Sequence, residues 1–414
     1  MARICIVTPG QLGSNPRVVK EAAALADAGH EVRVIATRVA SFVEPRDQAI
    51  LAHAAFTAER VSFDRRGYWL AQRLRQVIAR RVWSLVPSRA LAAPAYSPMS
   101  RGLTSAAQAF PADLYVAHYV AALPVVAQAA RRYGAAYAFD AEDFHLGDLP
   151  DSPENALEKQ LISLIETQYL PGAAGVTAAA PGIANAYTAE YGIEPPTVVL
   201  NTFPKAQAPK SSTPRGWVSP GPTLYWFSQT IGPGRGLECA ITAISKARCA
   251  PHLHLRGTSA RGYATALRGL AGQLGVADRL HIHPPAAPDE MVRLAVEYDL
   301  GLVSETGETR SRRIALTNKQ FTYLLAGVPA VMSDLPAHVS FATEAVGAVH
   351  LYRAEDAQSL ANALDDLLCV PDRLGKARAR AFALGQERFN WETEAPILLA
   401  SISRAINARW KCSP

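Results

Sequence analysis

Residues 3–37 read RICIVTPGQLGSNPRVVKEAAALADAGHEVRVIAT, and they decide the fold class. Arg3 to Pro9 is a short β-branched apolar run, broken by Gly10 to Pro16 (GQLGSNP). Arg17 to Gly29 follows with Val18, Val19, Ala22, Leu25 and Ala26 on one helical face, and Glu31 to Thr37 is a second strand. Strand, loop, helix and strand in so short a span is a βαβ unit, whose crossover requires parallel pairing. The loop Gly10–Ser14 faces the carboxyl end of its strand, where α/β sheets bind ligands. It is not G-x-G-x-x-G and no acid ends the second strand, which weakens a dinucleotide reading.

Outward from this unit the pattern continues. Asp113 to Ala117 (DLYVA) and Ala136 to Phe139 (AYAF) are strands whose ends carry His118-Tyr119 and Asp140-Ala141-Glu142-Asp143. GVTAA and TVVLN add two more strands, with helices over 153–169 and 181–191. Residues 206–222 (AQAPKSSTPRGWVSPGP) are rich in Pro, Ser and Gly without periodicity and read as a linker. The pattern then restarts: strand 223–227, a glycine-rich loop 228–236 (SQTIGPGRG), helix 237–247, and strands 252–255, 280–283 and DLGLVSE. The expected division is 1–205, linker 206–222 and 223–390, with 391–414 a last helix on the first domain.

A chain of 414 residues exceeds one core, and 49% hydrophobic with 19% charged residues is an ordinary globular composition. The net charge of +6 fits anionic substrates, an anionic membrane or nucleic acid. No nucleic-acid motif accompanies it, so nucleic acid is not an expected partner. The five cysteines are scattered without C-x-x-C spacing, which argues against a disulfide framework and a structural zinc. Met1 runs straight into a strand with no leader pattern, and the expected location is cytoplasmic.

The region 65–86 differs from the rest. Arginines 65, 66, 73, 75, 80 and 81 alternate with Tyr68, Trp69, Leu70, Leu74, Val77, Ile78, Val82, Trp83 and Leu85 at helical spacing. Two readings stand: a peripheral helix on an anionic membrane, or a domain helix with a core face and solvated arginines.

Chemistry concentrates at strand ends. The stretch Leu316–Ala337 (LTNKQFTYLLAGVPAVMSDLPA) starts a helix at Thr317-Asn318 and stops it at Gly327. Lys319 lies in that first turn, where the helix dipole favours an acid, so the cation points to a bound anion. The loop 228–236 is a nest of N–H groups ending at Arg235, whose guanidinium suits phosphate oxygens. Glu305 and Glu308 read either as sugar-hydroxyl ligands or as solvated acids. His118 is the candidate proton-sharing group of the first half. Asp140, Glu142 and Asp143 lack a partner cluster, so no metal is expected.

The segments SNPRVVKEAAALADAGHEVRVIA, VTAAAPGIANAYTAEYGIEPPTVVLNTFP and NKQFTYLLAGVPAVMSD resemble, in order, the retaining "glycosyl transferases group 1" family of GT-B glycosyltransferases. The resemblance implies two Rossmann-like parallel-sheet α/β domains facing across a cleft, with C-terminal helices crossing back onto the first. It implies a nucleotide-sugar donor held by the second domain, a glycan or lipid-linked acceptor at the first, and metal-independent retaining transfer. No cofactor beyond the nucleotide-sugar substrate is implied. By position it places His118, Arg235 and Lys319 in catalysis. It places Gly13, Ser228, Gln229, Gly234, Gly257, Pro285, Ala286, Glu305, Asn318 and Thr322 at the donor, and Asn15, Asp140, Glu142 and Asp143 at the acceptor. Thr322 and Ile314 occupy the positions of the family's paired glutamates, Gln229 that of a second phosphate-binding arginine, and DAED that of Asp-Ala-His-Glu. A nucleotide-sugar 2-epimerase and a non-catalytic glycan- or nucleotide-sugar-binding protein are the alternatives.

Overall fold

A computed structural model describes residues 1–63, 66–211 and 219–408. Arg65, residues 212–218 of the expected linker, Trp410 and Cys412 lie outside the described residues. The chain forms two compact units, one of residues 1–199 with the chain from Ala395 on, the other Leu200–Glu394.

The first unit holds a parallel sheet of β1 (Arg3–Val7), β2 (Glu31–Arg38), β3 (Thr57–Ser62), β4 (Leu114–His118), β5 (Ala136–Ala141), β6 (Gly175–Ala178) and β7 (Thr197–Val198). Their order is β3-β2-β1-β4-β5-β6-β7. The second unit holds β8 (Thr223–Ile231), β9 (His252–Ser259), β10 (Leu280–His283), β11 (Leu300–Val303), β12 (Ala330–Ser333) and β13 (Val349–Tyr352). These lie in the order β10-β9-β8-β11-β12-β13, again with every pairing parallel. Both sheets therefore reverse their order once, between β1 and β4 and between β8 and β11. An open parallel sheet makes its binding crevice at such a reversal, outside the strand carboxyl ends.

Period-two patterning builds the second core. Leu224, Trp226, Leu253, Leu255, Leu300 and Leu302 pack against Leu237, Ile241 and Ile244 of helix Leu237–Lys246 and Leu360 and Leu364 of helix Ala357–Leu368. The alternate residues of the same strands, Tyr225, His252 and His254, are buried on the other face. There Tyr225 stacks on Tyr298 at 4.1 Å between ring centroids.

Several elements depart from expectation. β8 continues through Ile231: after a bulge at Phe227/Thr230 it re-pairs with β9, so the loop proper is only 232–236. β3 is a polar, half-exposed edge strand with no apolar alternation to announce it. Helices Glu44–His53, Tyr263–Gln273 and Pro336–Glu344 and strand β13 were likewise not anticipated. Cys249 and Cys369, far apart in sequence, converge with Asp365 so that their ligand atoms lie within 4.8 Å of one another.

Candidate functional site at the β8/β11 reversal

Arg235 sits in the loop joining β8 to helix Leu237–Lys246, between Gly234 (φ 68°) and Gly236 (φ 66°). Gly236 is required twice over. Its φ is left-handed, and a Cβ there would lie 2.4 Å from the Ser304 carbonyl oxygen. The residues after β11 hold this loop in place. The Ser304 hydroxyl donates to the Arg235 carbonyl (2.7 Å), and the Arg312 guanidinium donates to the Gly234 carbonyl (2.6 Å). Arg312 belongs to the short helix Arg310–Ile314, whose N-cap Thr309 accepts from the Arg312 N–H. With both carbonyls tied back, Arg235 is presented half-buried at the reversal.

Lys319 arrives from helix Asn318–Leu325. That helix seats closely because Gly301 of β11 has no Cβ; one would lie 2.2 Å from the Tyr323 ring. The Lys319 Nζ is 2.9 Å from Glu305 Oε1 and 5.6 Å from the centre of the Trp226 ring, and both charged residues are buried. Burial alone pushes a carboxyl's pKa up, yet Lys319, then Arg235 and Arg312, outweigh it and hold Glu305 at about 2. The Ser333 hydroxyl donates to the Glu305 carbonyl, fixing its backbone as well. Glu305 is thus not a solvated acid. It is the counter-ion of Lys319.

Three cations (Lys319, Arg235, Arg312) face two carboxylates here, Glu305 and the exposed Glu308, which lies 3.9 Å from Arg312. The excess is positive; Arg235 and Arg312 are both half-buried, but Arg312 is committed to the Gly234 carbonyl. A guanidinium and flanking N–H groups at a helix start, beside a buried ion pair, are chemically suited to a phosphate-bearing anion. Of the other expected donor residues, Thr322 is buried with its hydroxyl donating to the Asn318 carbonyl. Ser228 and Gln229 lie in the bulged part of β8, and Gly257 backs the Ser228 carbonyl, where a Cβ would be 2.3 Å away. Pro285 and Ala286 follow edge strand β10.

The first unit is built differently. His118 ends β4 with Nε2 2.7 Å from Glu21 Oε2 and Nδ1 3.3 Å from Asp140 Oδ2, the latter an ion-pair distance without hydrogen-bond geometry. Arg17 grips Asp140 through Nε and Nη2, each at 2.7 Å, and donates to the Val199 carbonyl at 2.9 Å. Thr177 adds a hydroxyl to Asp140 at 2.5 Å. All four charged groups are nearly inaccessible. Burial disfavours the imidazolium, but Glu21 and Asp140 prevail and hold His118 above its ordinary pKa. Two carboxylates thus orient the His118 ring and favour its imidazolium form in a buried network. Glu21, His118 and Asp140 do bring three possible ligand atoms together. Arg17 already neutralises Asp140, which disfavours a further cation.

The expected acceptor residues are also engaged. Asn15 is buried, capping helix Pro16–Asp27 by accepting from the Val18 N–H while its amide donates to Thr8. Gly13, expected at the donor instead, donates its N–H to Asp47 at 2.7 Å. Glu142 accepts from the Tyr119 hydroxyl at 3.3 Å, and Asp143 beside it is half-buried. Burial and Asp143 both raise the Glu142 pKa. Tyr119, immediately after His118, has φ 66°, a strained conformation for a residue with a side chain.

Residues 13–202 match the family described as "Glycosyl transferase 4-like domain". Anabaena Alr3699/HepE in complex with UDP-glucose superposes with a TM-score of 0.70 over 97% of this chain and 100% of that one, at 17% identity. Sucrose-phosphate synthase from Thermosynechococcus elongatus gives 0.74 over 98% of both chains, at 14% identity. The chain has the GT-B glycosyltransferase fold. In sequence, this GT-B chain is 24% identical over 263 residues to the D-inositol 3-phosphate glycosyltransferase of Mycobacterium ulcerans. That match covers 63% of this chain and only 55% of the relative's length.

Arg312, Arg17, Glu21 and Trp226 were missed in the sequence. Arg17 carried the signal used for Lys319, a cation in the first turn of a helix, while the other three carried none.

Proposed function

We propose that this protein is a glycosyltransferase that moves a sugar, with retention, from a UDP- or GDP-type donor to a glycan or lipid-linked acceptor during cell-surface polysaccharide or glycoconjugate synthesis. The observation that carries this reading is the positive excess at the β8/β11 reversal, where the charge of half-buried Arg235 adds to the Glu305–Lys319 pair. The match of residues 13–202 to a glycosyl transferase 4-like domain supports the reaction class, and a fold neighbour in complex with UDP-glucose supports the donor class.

As the sugar's bond to the diphosphate breaks, negative charge grows on the leaving group. Arg235 and the N–H groups of helix Leu237–Lys246 stabilise that charge from fixed positions, which lowers the barrier without proton transfer. Lys319 acts behind them: by neutralising Glu305 it prevents a buried carboxylate from repelling the diphosphate. Transfer of this kind uses no cofactor, and the charge is handled by side chains and backbone.

Incubation with UDP- and GDP-sugars, with and without an acceptor extract, tests the reading. Release of nucleoside diphosphate that depends on acceptor supports it. Donor isomerised without acceptor identifies an epimerase, and donor bound without turnover identifies a binding protein; either overturns the proposal.

A further inference from the structure

The helix Arg66–Leu85 of the first unit turns its apolar stripe outward. Its buried positions are Gln72, Gln76, Ala79 and Trp83, which recur at helical spacing and form the inner face. Gln76 fixes that face, its amide donating to the Tyr96 carbonyl at 2.7 Å. On the opposite side Leu70 is 65% exposed, Leu74 61%, Ile78 53% and Leu85 83%, and Val77 and Val82 are exposed with them. A domain helix with a core-facing apolar stripe would show the reverse.

Charge says what covers this stripe. From Arg65 to Ala112 the sequence holds eight arginines and neither Asp nor Glu. Among the described residues Arg73, Arg75 and Arg81 on this helix, and Arg89 and Arg101 beyond it, are exposed. At 100° per residue Arg81 falls within the stripe, and Arg73 and Arg75 on its two flanks. Leucine and isoleucine side chains ringed by arginine fit the interface of an anionic bilayer, where the apolar groups enter the acyl boundary and the guanidinium groups meet phosphate. A second copy of the chain would set these arginines against arginines. No helix among the described residues is long and apolar enough to cross a membrane, so the contact lies in the plane of the surface.

We infer that the outward face of helix Arg66–Leu85 docks the protein on an anionic lipid surface. The inference does not rest on the donor chemistry proposed above, and its test needs no substrate. Full-length protein is sedimented with vesicles of phosphatidylcholine alone or mixed with phosphatidylglycerol, at low and high salt. The expected result is binding to the mixed vesicles only, weakened by salt. L74E/I78E abolishes it with an unchanged circular dichroism spectrum and melting temperature. Each of R75A and R81A weakens it about fivefold and reduces its salt dependence. Equal binding by wild type and L74E/I78E, or no binding to mixed vesicles, overturns the inference. So does a vesicle-free dimer dissociated by L74E/I78E, which assigns the face to self-association.

Discussion

The two sheet reversals use the same components to different ends. At β1/β4, Arg17, His118, Asp140 and Glu21 neutralise one another in near-complete burial. At β8/β11, Lys319 and Glu305 form an equally buried pair, but Arg235 and Arg312 are added and Arg235 stays half-buried. The first group has no surplus cation: its four members are inaccessible, and half-buried Glu142 adds a further carboxyl beside them. The second group is a buried pair with surplus cation at the rim, and the proposed anion site rests on that surplus. Strand-end position alone does not distinguish them; the balance and exposure of charge do.

The comparison breaks most sharply at Arg17. R17A leaves Asp140 buried beside an imidazolium without its bidentate partner, and the expected loss of stability is about 3–5 kcal/mol, read by urea denaturation. A loss comparable to a surface substitution would show that the first network is not structural. Next is R235A, expected to lower turnover by about 10²–10³ at an unchanged melting temperature, since the side chain it removes is not a packing element. G236A comes third. It forces a left-handed residue against the Ser304 carbonyl, so a stability loss of about 1–2 kcal/mol or more is expected from the backbone alone, measurable by thermal denaturation.

The smallest effect near neutral pH contrasts two sets of histidines with opposite signs. His254 donates or accepts with His283 at 3.0 Å and stacks on His281 at 4.3 Å. Burial, then the neighbouring histidines, lowers its pKa from 6.5 to about 3. Between those values the unfolded chain takes up a proton that the folded chain does not, so stability falls as pH falls through this window. His118 is raised, so its contribution is full below 6.5 and is lost as pH rises through its elevated pKa. Melting temperature against pH should lose part of its acid limb in H254Q and part of its alkaline decline in H118Q. Superimposable curves for wild type and both variants would contradict these assignments.

The fold was legible in residues 3–37 because strand, loop, helix and strand follow one another with period-two and period-3.6 apolar spacing. The restart at Thr223 marked the second sheet for the same reason. Edge strand β3 was not legible, since a half-exposed polar strand carries no alternation. At the site, the first-turn cation of helix Asn318–Leu325 was read as the mark of a bound phosphate, and Arg17 carried the same sign. In both cases the anion is a protein carboxylate, Glu305 and Asp140, brought in from another strand. Local sequence shows that a cation needs a partner. Only the tertiary fold shows that the partner is internal for Lys319, whereas for Arg235 a ligand is the partner proposed above.

Calorimetric titration of UDP into wild type and R235A tests this division of labour most directly. The expected result is a dissociation constant weaker by about tenfold or more in R235A, with the melting temperature retained. Equal affinity in the two proteins would show that the β8/β11 reversal does not hold the diphosphate.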